Sequence, residues 1–351
     1  LDAERFVQEL CHQPQGREVI TVREIVVNGI TLSVAKIVNS SGASVELLNL
    51  GATVKSLFVP DRNGMLRNVV LGYDETERYL ANTHYYGSTI GRYANRISDS
   101  SFSLNGKAYR LQSNDTPNSN HGGNDGFHTR IFDIARIAEE NDTVTMRYLS
   151  PDGEAGFPGQ VELNVAYRWS DDNELAIRYT AGVSGRSTPL NITNHSYFNL
   201  SGDCTSDATQ AELTLHGESI LETTDRFIPT GRIIDIRRTP FDFTSPHKIA
   251  DRIGRLGNRP LKGYNDYYIT GGKSSPAAKL YDRRSGIAMR MYTDYPGVLF
   301  YSGDCLPRPY AGVCLEGQLY VNAPNRPEFP SAILHPGTRY DRLLKYHFTV
   351  E

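Results

Sequence analysis

The feature that most constrains this chain is a two-residue hydrophobic alternation that recurs along most of its length and is cut by turn residues before it can extend. In Val161-Glu-Leu-Asn-Val-Ala-Tyr-Arg-Trp169 every odd position is apolar or aromatic, and the even positions are Glu162, Asn164, Ala166 and Arg168. Successive strand side chains point to opposite faces, so such a segment has one buried face and one mostly polar face. Val144, Met146 and Tyr148 repeat the pattern, as do Leu175, Ile177 and Tyr179, and Ile287, Met289 and Met291. Asn105-Gly106 separates Ser101-Phe-Ser-Leu104 from Lys107-Ala-Tyr-Arg-Leu111. That is a hairpin signal, because both residues accept positive φ. Ser285-Gly286 reads the same way before Ile287. Helical signals are short, at 2–12, 75–81 and 249–256, and none can act as the crossover of a βαβ series. The expectation is an all-β fold, a large antiparallel β-sandwich with few short helices. No repeat or linker divides the chain, and 201–208 and 252–262 read as surface excursions, so residues 1–351 are expected to form one domain.

Composition removes several functions. Lys and Arg number 37 against 40 Asp and Glu, a net charge of −3 that argues against a nucleic-acid partner. No apolar run approaches the roughly 18 residues of a membrane helix, so no membrane partner is expected. Cys11, Cys204, Cys305 and Cys314 form no C-x-x-C pair and read as free thiols of a reducing, cytoplasmic compartment. Leu1 opens no signal-peptide pattern, although a chain that starts at Leu leaves a removed leader open. The 21 Tyr and 31 Gly suit sheets and turns.

Five segments look unlike scaffold. Gly91-Arg-Tyr-Ala-Asn-Arg-Ile97 carries two arginines and an asparagine, and its bland reading is surface charge. In Asn118-Ser-Asn-His-Gly-Gly-Asn124, His121 precedes two glycines that either turn the chain or let the backbone approach a ligand. Asn191-Ile-Thr-Asn-His-Ser-Tyr-Phe-Asn-Leu200, read as a strand, puts Asn191, Thr193, His195, Tyr197 and Asn199 on one face. Asn is depleted in strands, so that face needs a reason: recognition of a polyhydroxylated ligand, or a buried network tying loops together. Gly263-Tyr-Asn-Asp-Tyr-Tyr268 places Asp266 between aromatics. Glu316 ends an apolar run in Gly312-Val-Cys-Leu-Glu-Gly-Gln318, either as a base with a raised pKa or as a structural carboxylate.

Other chemistries lack their signatures. There is no H-E-x-x-H, His121 and His128 are not at helical i, i+4 spacing, and no P-loop, dinucleotide fingerprint or G-x-S-x-G elbow occurs. Sequons at Asn39, Asn114, Asn141, Asn191, Asn194 and Asn199 read as chance, since three crowd into the polar segment.

The segment 191–200 resembles the signature of aldose 1-epimerases, the galactose mutarotases. Gly91 to Ile97 is similar to that family's G-R-x-A-N-R-I, Asn118 to Gly123 to its N-x-x-H-G-G, and Gly263 to Asp266 to its G-[YF]-[DN]-[DH]. Pro296 to Gly303 and Leu315-Glu316 resemble its closing segments, all in the family's order. The resemblance implies a galactose mutarotase-like sandwich that interconverts the anomers of a free aldose with neither cofactor nor metal. By the same resemblance His195 would protonate the ring oxygen and Glu316 would take the anomeric hydroxyl proton. His121 would position the ring oxygen, Asn95, Arg96 and Asp266 would hold hydroxyls, and Ser196 and Tyr197 would line the pocket. The expected partner is a small sugar, with the protein a monomer or homodimer. Leu299, Gly317 and Tyr320-Val321-Asn322 depart from the family pattern and leave the preferred sugar open. Alternatives are a non-catalytic sugar binder, an epimerase of a phosphorylated hexose using Arg92 and Arg96, or a glycosidase pairing Asp266 with Glu316.

Overall fold

The structure is a computed structural model and describes residues 19–272 and 275–351. Three antiparallel sheets supply most of it, as the alternation predicted. A nine-stranded sheet runs in the order Asp133–Ala138, Thr143–Ser150, Gln160–Trp169, Glu174–Ser184, Tyr340–Val350, Ile287–Thr293, Ala278–Tyr281, Glu212–Leu215, His247–Lys248. A six-stranded sheet runs Tyr197–Phe198, Val313–Gln318, Gly297–Tyr301, Asn265–Ile269, Ser219–Thr223, Pro229–Asp235. A five-stranded meander begins at Val19–Val27 and ends at Leu66–Asn68.

In the nine-stranded sheet the alternating residues stack across strands, with Leu163 opposite Ala181, Val165 opposite Tyr179 and Tyr167 opposite Ile177. All six are buried. Such cross-strand pairs are the unit of sheet stability, and a one-residue slip would turn them all to solvent. Asn105 and Gly106 have φ of 52° and 74° and join a tight hairpin in which Leu104 pairs with Lys107. Ser285-Gly286 belongs to a longer turn, because the Asp282 carboxylate accepts from the amides of Arg284 and Ser285 and widens it.

The short helices shrink further. The 75–81 signal is a 3-10 helix, Thr76–Ala81, and 249–256 yields an α-helix only over Ile249–Ile253. The 2–12 signal, like Cys11, lies outside the described residues. Tyrosine hydroxyls tie the layers together: Tyr167 donates to Ala52 O, Tyr295 to Ile192 O and Tyr346 to Leu315 O. The Trp169 indole donates to Ala43 O at 3.1 Å, joining the nine-stranded sheet to the meander.

The segment 191–200 departs from expectation. It is not one strand but two two-residue bridges, Thr193–Asn194 with Thr89–Ile90 and Tyr197–Phe198 with Val313-Cys314, separated at His195-Ser196. Most of its polar groups serve the scaffold. Asn191 donates to Ala94 O and accepts from Leu319 N, while Asn199 donates to Ala311 O and Asp203 O. Asn194 donates to Gly87 O and accepts from both the amide and hydroxyl of Ser196. The loop-tying reading therefore holds for the asparagines, whose burial also makes their sequons unusable as glycan acceptors.

Candidate active site

The site is built on one face of the six-stranded sheet. Antiparallel register puts Glu316, Leu299 and Tyr267 in one row across three strands, with Cys314, Tyr301 and Asn265 in the row beside it. The intervening residues face the other way: a Cβ on Gly317 would strike Leu344 and Thr293 of the nine-stranded sheet. Gly317 thus borders the core and not the site.

Glu316 has no exposed surface, and neither carboxylate oxygen has a hydrogen-bond partner among the described residues. Burial pushes its pKa up to about 8. His195 Nε2 stands 3.7 Å from Glu316 Oε1, beyond a hydrogen bond but close enough for one small molecule to touch both. Burial, helped by the nearby His128, pushes the His195 pKa down to about 4. Both groups are thereby biased to their neutral forms by desolvation rather than by pairing.

The backbone around His195 is fixed on both sides. Its amide donates to Ser88 O at 2.9 Å and its carbonyl accepts from Gly87 N at 3.0 Å. Cys314 Sγ lies 3.5 Å from His195 Nδ1, which leaves Nε2 as the nitrogen turned toward Glu316. The Tyr197 ring packs 4.9 Å from the imidazole. Ser196, beside it, has its hydroxyl committed to Asn194.

His121 adds a second imidazole, 5.2 Å from His195 between ring centroids and nearly perpendicular to it. Its Nδ1 accepts from the Asn95 amide at 3.2 Å, so in the neutral ring the proton sits on Nε2. Burial holds the pKa well below 6.5, making His121 a neutral donor at physiological pH. Gly122 secures this geometry: with φ of 85° and a would-be Cβ 2.0 Å from Gly91 O, the position excludes a side chain. The two motifs read separately in sequence are therefore packed backbone to backbone.

Asn95 and Arg96 line a small cavity together with Asn265, Tyr267, Leu299 and Phe227. Arg96 Nε donates to Asp115 at 2.7 Å and its guanidinium lies 5.0 Å over Phe227. The expected role of Asp266 is corrected by the register. It pairs with Phe300, on the opposite face from Glu316, and is held bidentately by Arg259 at 2.7 and 3.0 Å. Its neighbour Asn265 is the one that lines the cavity. Asp266 and Glu316 consequently cannot form a glycosidase pair. Arg92 is likewise unavailable to a phosphate, because its buried guanidinium donates to the carbonyls of Ser150, Pro151, Phe157, Pro158 and Gly159.

Tyr85 was not singled out by sequence. Its ring stacks 5.7 Å from His195 and meets His121 and His128 edge-on at 4.8 and 4.7 Å. A φ of 60° in a bulky aromatic signals constraint, and no residue type announces it. His195, Cys314 and Glu316 also present donor atoms within 4.8 Å of one another, the outline of a cation site. Burial holds the Cys314 thiol and the Glu316 carboxyl in their protonated forms, which works against that use.

Residues 33–347 match the family model described as aldose 1-epimerase. The chain belongs to the aldose 1-epimerase family. It is 36% identical over 320 residues to a galactose mutarotase of Bos taurus, covering 87% of this chain and 91% of that protein. To an aldose 1-epimerase of Escherichia coli it is 34% identical over 330 residues, covering 89% and 94%. An aldose epimerase homologue from C. elegans superposes with a TM-score of 0.84 at 29% identity, over 90% of this chain and 98% of that one. Family membership accounts for the spacing of the five motifs. Of the departures noted in sequence, Leu299 and Val321 line the cavity, whereas Asn322 accepts from Ser98 N and supports a loop.

Proposed function

We infer that the protein is an aldose 1-epimerase that interconverts the α and β anomers of a free aldohexose, galactose or glucose, by acid/base ring opening and reclosure, and that the chain acts as one catalytic domain. The observation that carries this is the His195–Glu316 pair, 3.7 Å apart in a buried site with its pKa values pushed to about 4 and about 8. Between those values the pair holds one proton, which is what the reaction requires.

Ring opening starts when that proton is on His195 and Glu316 is a carboxylate. Glu316 takes the proton of the anomeric hydroxyl while His195 Nε2 gives its proton to the ring oxygen; the C1–O5 bond breaks and the aldehyde forms. The pair is then protonated glutamic acid and neutral imidazole, the forms that burial favours, so desolvation assists the step. Rotation about the C1–C2 bond presents the other carbonyl face. Reclosure returns the proton from Glu316 to the new anomeric oxygen and from the C5 hydroxyl to His195.

The supporting groups fit their roles. In this reading His121 offers its Nε2 proton toward the ring oxygen, and Asn95, Arg96 and Asn265, which line one cavity, hold hydroxyls while the anomeric end turns. Arg96 is the cation in the cavity lining, which disfavours a phosphorylated substrate, a class that calls for clustered cations. Polarimetry on freshly dissolved α-galactose and α-glucose tests the reading: a faster approach to equilibrium is expected, and an unchanged rate for both sugars overturns it.

A further inference from the structure

We propose that Leu299 sets specificity at the carbon next to the anomeric centre, so that the protein accepts 2-deoxy-aldohexoses about as well as the parent sugars. The inference rests on the epimerase reading above and on strand order. Val313–Gln318 lies between Tyr197–Phe198 on one side and Gly297–Tyr301 on the other. Glu316 therefore has His195, just ahead of Tyr197, on one flank and Leu299, its direct cross-strand partner, on the other.

The anomeric carbon also has two ring neighbours, the ring oxygen and C2. With Glu316 at the anomeric hydroxyl and His195 at the ring oxygen, C2 falls on the flank of Leu299. Directly opposed residues of an antiparallel pair hold their Cβ atoms about 4.5–5.5 Å apart, so a group attached to C2 is within van der Waals reach of that side chain. Beyond Leu299 in the same row is Tyr267, whose hydroxyl already donates to Gln318 O at 2.9 Å and whose ring lies against Gly297. The two side chains in line with Glu316 on this flank, Leu299 and the Tyr267 ring, present hydrocarbon. The polar groups of the cavity, Asn95, Arg96 and Asn265, suit hydroxyls farther round the ring.

A site built to hydrogen-bond a hydroxyl rejects the analogue that lacks it by about 10⁴ to 10⁵, whereas an apolar wall discriminates weakly. The test compares galactose with 2-deoxygalactose, each corrected for its own uncatalysed rate, in wild type and in Leu299→Gln. The expected wild-type kcat/KM values agree within tenfold. A 2-deoxy value more than tenfold lower, with galactose turned over normally, overturns the proposal alone; turnover of neither sugar overturns the epimerase reading instead. Leu299→Gln is expected to lower the 2-deoxy to parent ratio by tenfold or more, and an unchanged ratio in a variant active on galactose also overturns the assignment. The wild-type comparison decides even where the variant fails to fold.

Discussion

A carboxylate with no hydrogen-bond partner is a costly thing to bury, and neither oxygen of Glu316 has one among the described residues. Its folded pKa of about 8 lies above the ordinary 4.5, so its contribution to stability is fully present below pH 4.5 and is lost as pH rises through 8. Glu316→Gln removes that loss. The variant should unfold at higher urea than wild type, by a margin that is absent below pH 4.5 and grows to pH 8, while kcat falls by about 10²-fold or more. A stability difference that is flat across this range would contradict the assignment. His195 works in the opposite sense, with stability present above 6.5 and lost as pH falls through 4. Because catalysis needs one proton on the pair, kcat/KM should be bell-shaped, with limbs near pH 4 and 8 that belong to the pair rather than to either residue. A profile rising monotonically through pH 8 would rule this out. An acid after an apolar run and an imidazole among asparagines are conspicuous in the sequence, while the acid and base roles proposed for them come from the family resemblance. Tyr85 is not conspicuous, since only the folded chain puts its ring among three histidines.

Which of two adjacent residues faces a site is a property of the strand, fixed by register. Asn265 and Asp266 share one motif, and the family resemblance gives the hydroxyl-holding role to the acid. Pairing across Asn265–Ile269 and Gly297–Tyr301 decides otherwise: parity with Glu316 belongs to Tyr267 and Asn265, and Asp266 turns away to Arg259. The same parity sends Gly317 to the core and Leu299 to the site. In the 191–200 segment, alternation was the wrong rule, because the chain leaves extended pairing at His195-Ser196 and buries both sides. Asp266→Asn should therefore weaken the bidentate contact with Arg259 and cost about 1–3 kcal/mol in stability, with KM for galactose little changed. Asn265→Ala should do the reverse, raising KM about tenfold with little loss of stability. Urea titration and initial-rate polarimetry on the two variants separate these outcomes, and a KM effect confined to Asp266→Asn would return the acid to the site.

At the scale of the whole molecule, the three sheets share one continuous apolar core running from Ala35 to Phe348, crossed by tyrosine hydroxyls that reach carbonyls of neighbouring layers. Each such hydroxyl satisfies a buried donor only when both layers are in place, so the layers depend on one another. The site inherits this dependence. Tyr295 and Tyr340 of the nine-stranded side hold the backbone of Ile192, three residues before His195, while Tyr346 holds Leu315, next to Glu316. Acid and base are thus positioned from the same layer behind them. The single Trp169 is buried where that layer meets the meander and lies outside the catalytic face, which makes it an independent reporter. If the layers form one cooperative unit, tryptophan fluorescence and epimerase activity should be lost in urea with coincident midpoints and a single steep slope. Activity disappearing at clearly lower urea than the fluorescence change would mean that the catalytic sheet unfolds separately, and that the tyrosine ties contribute little to holding His195 and Glu316 in register.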